Sequence, residues 1–238
     1  MINYRKNSIG DKMSKLLVFV FIFFLGSTFG WVLELFFRRI VHKKWINPGF
    51  LTGPYLPIYG FGLCVLTYSY MLFTNLSLNP ILVILLMGLF MTIIELIGGL
   101  CFIYGGYVKL WDYSNQWGNY KGIICPLFSL IWTVLGGVYY YFIAPYVLRA
   151  LDWFSCNLSF SFILGIFVGL ICIDFINSTK LLVKIRKFAK ENNVKVKYEE
   201  FISYIKDLPE KGKKYFFTRP LKRIVSIKDS LEEYVKNH

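Results

Sequence analysis

Three lone carboxylates, Glu34, Glu95 and Asp174, interrupt apolar stretches that otherwise exclude acid. A charge at mid-bilayer costs about 2.5–3.5 kcal/mol on the mildest insertion scale, so an acid inside an apolar span marks a candidate functional site. Acids so placed relay protons or pair with cationic groups of a solute. Their burial also suits them to general acid, base or metal-ligand chemistry. Glu34 has Arg38 and Arg39 four and five residues on, and Asp174 has Lys180 two turns on. Glu95 has no base nearby in sequence.

The stretches that must position these acids are long. The chain has 238 residues, 56% of them hydrophobic and 19% aromatic, with a mean hydropathy of +0.51. A bilayer core about 30 Å thick takes about 20 apolar residues per helix. Five windows meet that need, at roughly 16–37, 54–74, 79–104, 122–148 and 158–178. The predicted fold class is therefore all-α, a polytopic transmembrane bundle of about five spans (1–178) with a basic cytoplasmic helical tail (179–238). The first window follows Arg5, Lys6, Lys12 and Lys15. Its apolar run is too long for a signal h-region and no small-x-small site closes it, so it reads as a retained helix.

The net charge is +13, and the tail from Lys180 carries +8 of it. No nucleic-acid-binding signature accompanies it, and attraction to anionic lipid headgroups is the plainer reading. Within the tail, Tyr198–Leu208 reads as a short helix ended by Pro209. Pro220 opens a second, with Leu221, Ile224, Val225, Lys228, Leu231 and Val235 on one stripe. The five cysteines are scattered singly, and the two histidines, His42 and His238, lie far apart. Metal and disulfide roles are not expected.

Orientation follows from Lys and Arg near the span ends. With loops one and three and the tail inside, thirteen such residues lie in the cytoplasm against five outside. The tail is then inside and the N-terminus outside, although four basic residues precede the first span. A re-entrant segment near 47–60 is the alternative that changes this parity. Spans one, three and five run in the same direction, which places all three acids toward one face of the membrane.

Two polar loops open on that face. Asn47–Gly62 holds three prolines, Pro48, Pro54 and Pro57, and four glycines, a composition that argues against a regular helix start. Trp111–Gly122 sets two tryptophans and two tyrosines among Asp112, Ser114, Asn115, Gln116 and Asn119. Such rings suit an interface, and Gly98 and Gly99 after Glu95 allow a neighbouring helix to come close. The candidate substrate- or ion-binding residues are Glu34, Glu95, Asp112 and Asp174, with Trp31, Asn47, Tyr59, Trp111, Tyr113 and Asn119.

The order of these motifs resembles the membrane-protein family described as "putative ABC-transporter type IV". The shared pattern is Trp31-x-x-Glu34, then Asn47 to Pro54 and Pro57 to Gly62, then Glu95 with Gly98 and Gly99, then Trp111 to Ser114 and Asn119 to Gly122. It covers roughly residues 26–135 and leaves out the fifth span and tail. Pro48 stands where the family pattern has a basic residue, so an anion contact is not carried over there. The resemblance implies a permease-like transport component. Since no GxxxxGK[ST] phosphate loop occurs in the chain, an ATP-binding partner would be a separate subunit. An enzyme acting on a lipid-linked substrate, through Glu34, Glu95 or Asp112, is the alternative. A non-catalytic assembly or regulatory protein is the third reading.

Overall fold

The structure is a computed structural model that describes residues 14–43, 47–103, 108–192, 196–197 and 235. Its helices are α1 (Lys15–His42), α2 (Pro57–Asn75), α3 (Pro80–Ile103), α4 (Pro126–Val138), α5 (Ala144–Cys156) and α6 (Ser161–Glu191). A π-helical turn at Tyr139–Ile143 joins α4 to α5. Pro145 accounts for that turn: it has no N–H to give the carbonyl one turn back, and the coil widens instead of breaking. Five helical stretches, Lys15–Ile40, Pro57–Asn75, Pro80–Cys101, Pro126–Cys156 and Leu158–Glu191, are long and apolar enough to cross a membrane. The all-α, five-span architecture expected from hydropathy is the one observed.

Start signals are local. Ser14 caps α1 through its side chain, accepting from the Leu17 amide at 3.3 Å. Asn79 Oδ1 accepts from the Ile81 amide at 2.9 Å ahead of α3. Prolines open α2 and α4 at positions where a missing N–H costs nothing. That corrects one expectation. The Gly/Pro stretch does not stay irregular to Gly62, because Pro57 begins a regular helix and only residues 47–56 form the loop.

The helices pair as α1 with α2 and α3 with α4, and α2 joins the two pairs. Without a hydrophobic drive between helices in lipid, close packing of small residues does this work. A Cβ on Gly26 would stand 2.7 Å from both Leu63 Cβ and the Tyr59 carbonyl oxygen, so α1 and α2 touch backbone to backbone. One core cluster joins Ile22, Cys64, Leu151, Phe154 and Leu164, and another joins Val83, Met87, Tyr139 and Val147.

The third cluster lies under the first loop. Phe50, Leu51 and Tyr55 pack on Phe167, Leu182, Ile185, Phe188 and Ala189 of α6, with Val235 against them. Helix α6 runs unbroken through residues 178 and 179. Beyond it, β2 (Val196–Lys197) pairs in parallel with β1 (Val108–Lys109) at the start of the second loop. The Tyr198–Leu208 helix and the stripe from Leu221 to Leu231 lie outside the described residues.

Candidate functional site

Glu95 sits on α3, eight residues before the helix ends, and is 3% exposed. Its two oxygens each receive one neutral donor. The Tyr113 hydroxyl donates to Oε1 at 3.0 Å, and the Trp132 indole N–H, from the second turn of α4, donates to Oε2 at 3.0 Å. No ion pair to it is present among the described residues. Tyr113 is held in turn by its ring, stacked on Phe128 at 4.2 Å. Burial, the Glu95 charge and the hydrogen bond together push the Tyr113 phenol well above its ordinary range, so it is a committed donor.

Glu34 approaches from the neighbouring helix pair. Tyr59, in the first turn of α2, donates its hydroxyl to Glu34 Oε2 at 2.8 Å, and Arg38 Nε pairs with Oε1 at 2.9 Å. Tyr59 also meets Trp132 edge to face, ring centroids 6.5 Å apart. The chain of contacts Glu34–Tyr59–Trp132–Glu95–Tyr113 therefore crosses from one helix pair to the other. Among the described residues, two carboxylates and one guanidinium meet in this group.

Asp174 belongs to a different arrangement. It is 9% exposed and accepts five hydrogen bonds: from the Thr52 amide (3.0 Å) and hydroxyl (2.7 Å), the Gly53 amide (2.9 Å), the Tyr55 hydroxyl (2.8 Å) and the Ser178 hydroxyl (3.1 Å). Lys180 is not among its partners, contrary to the pairing that sequence proximity offers. Amides and hydroxyls, not a base, satisfy this carboxylate, and those of Thr52, Gly53 and Tyr55 tie the first loop to α6. Burial and the Asp174 bond raise the Tyr55 phenol far above its usual range. The same loop is tied to α1 by Asn47, whose Oδ1 accepts from Trp31 Nε1 at 2.6 Å and whose Nδ2 donates to the Thr52 carbonyl at 3.1 Å.

The second loop is braced from within. Asp112 accepts from the Ser114 amide at 3.0 Å, from the Ser114 hydroxyl, and from Lys109 Nζ at 3.0 Å. Partial burial pushes its carboxyl up, but the Ser114 and Lys109 contacts outweigh it and hold the group below its ordinary range. Asn119 closes the turn, donating to the Ser114 and Gln116 carbonyls and accepting from the Gly122 amide at 3.0 Å. Trp111 Nε1 donates to the Ile123 carbonyl at 2.9 Å. Gly122 has φ +69°, and a Cβ there would stand 2.6 Å from Ser114 Oγ and 2.7 Å from Asp112 Oδ1. A Cβ on Gly98 would meet Ile58 of α2 at 3.3 Å and Trp111 at 3.8 Å, and one on Gly99 would run into Ile123, so these glycines admit both the neighbouring helix and the second loop.

A family model described as "Putative ABC-transporter type IV" matches residues 21–179. The chain belongs to that family. The match takes in the fifth span, which the motif resemblance had left out, and stops near the point where α6 turns basic. Neither a curated protein nor a solved structure matches the chain. As a type IV family member with five spanning helices, it is a multi-pass membrane protein.

The ten candidate residues thus sort by geometry. Glu34, Tyr59, Glu95 and Tyr113 converge. Trp31, Asn47 and Asp174 form a second network that seats the first loop. Trp111, Asp112 and Asn119 shape the second loop. Sequence reasoning missed Trp132, which completes the Glu95 shell, and Thr52, Tyr55 and Ser178, which complete that of Asp174. Matching depth would have found Trp132: it lies about 9 Å into α4, and Glu95 about 12 Å from the adjoining end of α3. Among the described residues no group of three or more His, Cys, Asp or Glu is placed to hold a metal ion.

Proposed function

We propose that this type IV family member is a permease-like transport component whose polar site is the Glu34–Tyr59–Trp132–Glu95–Tyr113 group. The observation that carries this reading is Glu95: a carboxyl inside a span, almost wholly buried, met by a phenol and an indole but by no base among the described residues. Neutral donors solvate such a group without neutralising it. A proton or a small cationic solute completes it, which is the role intramembrane acids take in transport pathways. Arg38 offsets Glu34, so the site accepts a single positive charge.

The loop end of the bundle, with Arg38, Arg39, Lys43, Lys109 and Lys121 beside it, faces the cytoplasm by the positive-inside rule. The N-terminus is then outside, and residues 179–238 form a basic cytoplasmic segment. The energy source is a separate ATP-binding subunit docked at that face. Affinity purification of the full chain in mild detergent from its native host, with mass spectrometry of what is retained, tests this. A stoichiometric nucleotide-binding protein is expected, and recovery of the chain alone would contradict the ATP-driven reading.

A further inference from the structure

We infer that the outer part of α6 carries a binding surface for anionic phospholipid headgroups, formed by Lys180, Lys184 and Lys187. This goes beyond the transport reading and does not depend on it.

At 100° per residue the three lysines fall within about 60° of one another. Ser178, Leu182, Ile185, Phe188 and Ala189, all buried, centre roughly 150° away on the same helix. The apolar face is therefore committed to the first loop, and the basic stripe is turned away from the protein. All three lysines are exposed.

Depth makes the stripe a headgroup site. Counting 1.5 Å per residue from Ser161, Lys180 stands about 28 Å along the helix, Lys184 about 34 Å and Lys187 about 39 Å. A hydrocarbon core is about 30 Å thick, and about 40–45 Å with both headgroup layers. The stripe thus starts at the hydrocarbon edge and crosses the phosphate layer. Aromatics at the same end agree with this depth, since Tyr120 is exposed and Trp117 is 86% exposed on the second loop. The one acid on the stripe, Glu191, stands 3.9 Å from Lys187 with both side chains well exposed. Screening by water leaves that pair weak, and Lys180 and Lys184 have no ion-pair partner among the described residues. Juxtamembrane lysines at this position attract anionic lipid by roughly fivefold in affinity per residue.

The test uses the purified full chain, titrated in detergent with phosphatidylglycerol or phosphatidylcholine of matched acyl chains and read by native mass spectrometry. Phosphatidylglycerol is expected to be retained over phosphatidylcholine. The K180Q/K184Q/K187Q variant should lose that preference at least tenfold, and K180R/K184R/K187R should keep it. Equal retention of the two lipids, a preference that survives in the glutamine variant, or a preference lost in the arginine variant would each overturn the assignment.

Discussion

The Trp132 indole on α4 and the Glu95 carboxylate on α3 meet at 3.0 Å, and with Tyr113 they give each Glu95 oxygen one neutral donor, with no ion pair to it among the described residues. A buried acceptor that loses its donor keeps its desolvation penalty. Trp132→Phe and Tyr113→Phe should therefore each cost about 1–3 kcal/mol in a detergent melt, and together they should depart from additivity because both act on one carboxylate. Additive losses would show that the two donors act independently of Glu95.

Asp174 makes a different prediction. It anchors the first loop by four bonds from Thr52, Gly53 and Tyr55, with a fifth from Ser178 on its own helix. Asp174→Ala should lower stability by at least about 2 kcal/mol. Limited proteolysis should find new cleavage near Phe50 and Leu51, whose packing on α6 depends on that anchor. A variant as resistant as the parent chain would deny the anchor its role.

Acid should loosen the second loop. The Asp112 carboxyl is held below its ordinary range, so its contribution is fully present above the unfolded value near pH 4 and is lost as pH falls through the folded one. Exchange of the Ser114 amide is expected to rise below about pH 4, and Asp112→Asn should remove that dependence. Tyr55 and Tyr113 run the opposite way. Their raised phenols keep donating below the unfolded value near 10, and the contribution is lost only as pH climbs through the folded one.

Ending the chain at Asn192 removes β2 and the Val235 contact. The spans should still fold, while trypsin should cut at Lys109 faster than in the full chain. Unchanged cleavage there would mean that the β1–β2 pairing does not protect the loop.

Much of this was legible in the sequence, for identifiable reasons. Length and hydropathy specify a span almost without reference to its neighbours, so the five spans could be read directly. Azimuth could not. Whether Glu34 and Glu95 share a group depends on how α2 sits between α1 and α3, set by contacts such as Gly26 on Tyr59 and Gly62 on Met91 that no single-span pattern encodes. For Asp174 the sequence offers Lys180 as a partner by charge and proximity, whereas the donors are amides and hydroxyls of a loop 119–122 residues away, which no local pattern encodes. Pro57 looked like a breaker and proved to be a first-turn residue.

The most direct test of the central claim is charge displacement in proteoliposomes on a solid-supported membrane, after jumps in pH or in alkylammonium concentration. The wild-type chain should give a transient current that Glu95→Gln abolishes and Asp112→Asn leaves in place. A Glu95→Gln current equal to wild type, or no wild-type response to either jump, would contradict Glu95 as the site of positive charge.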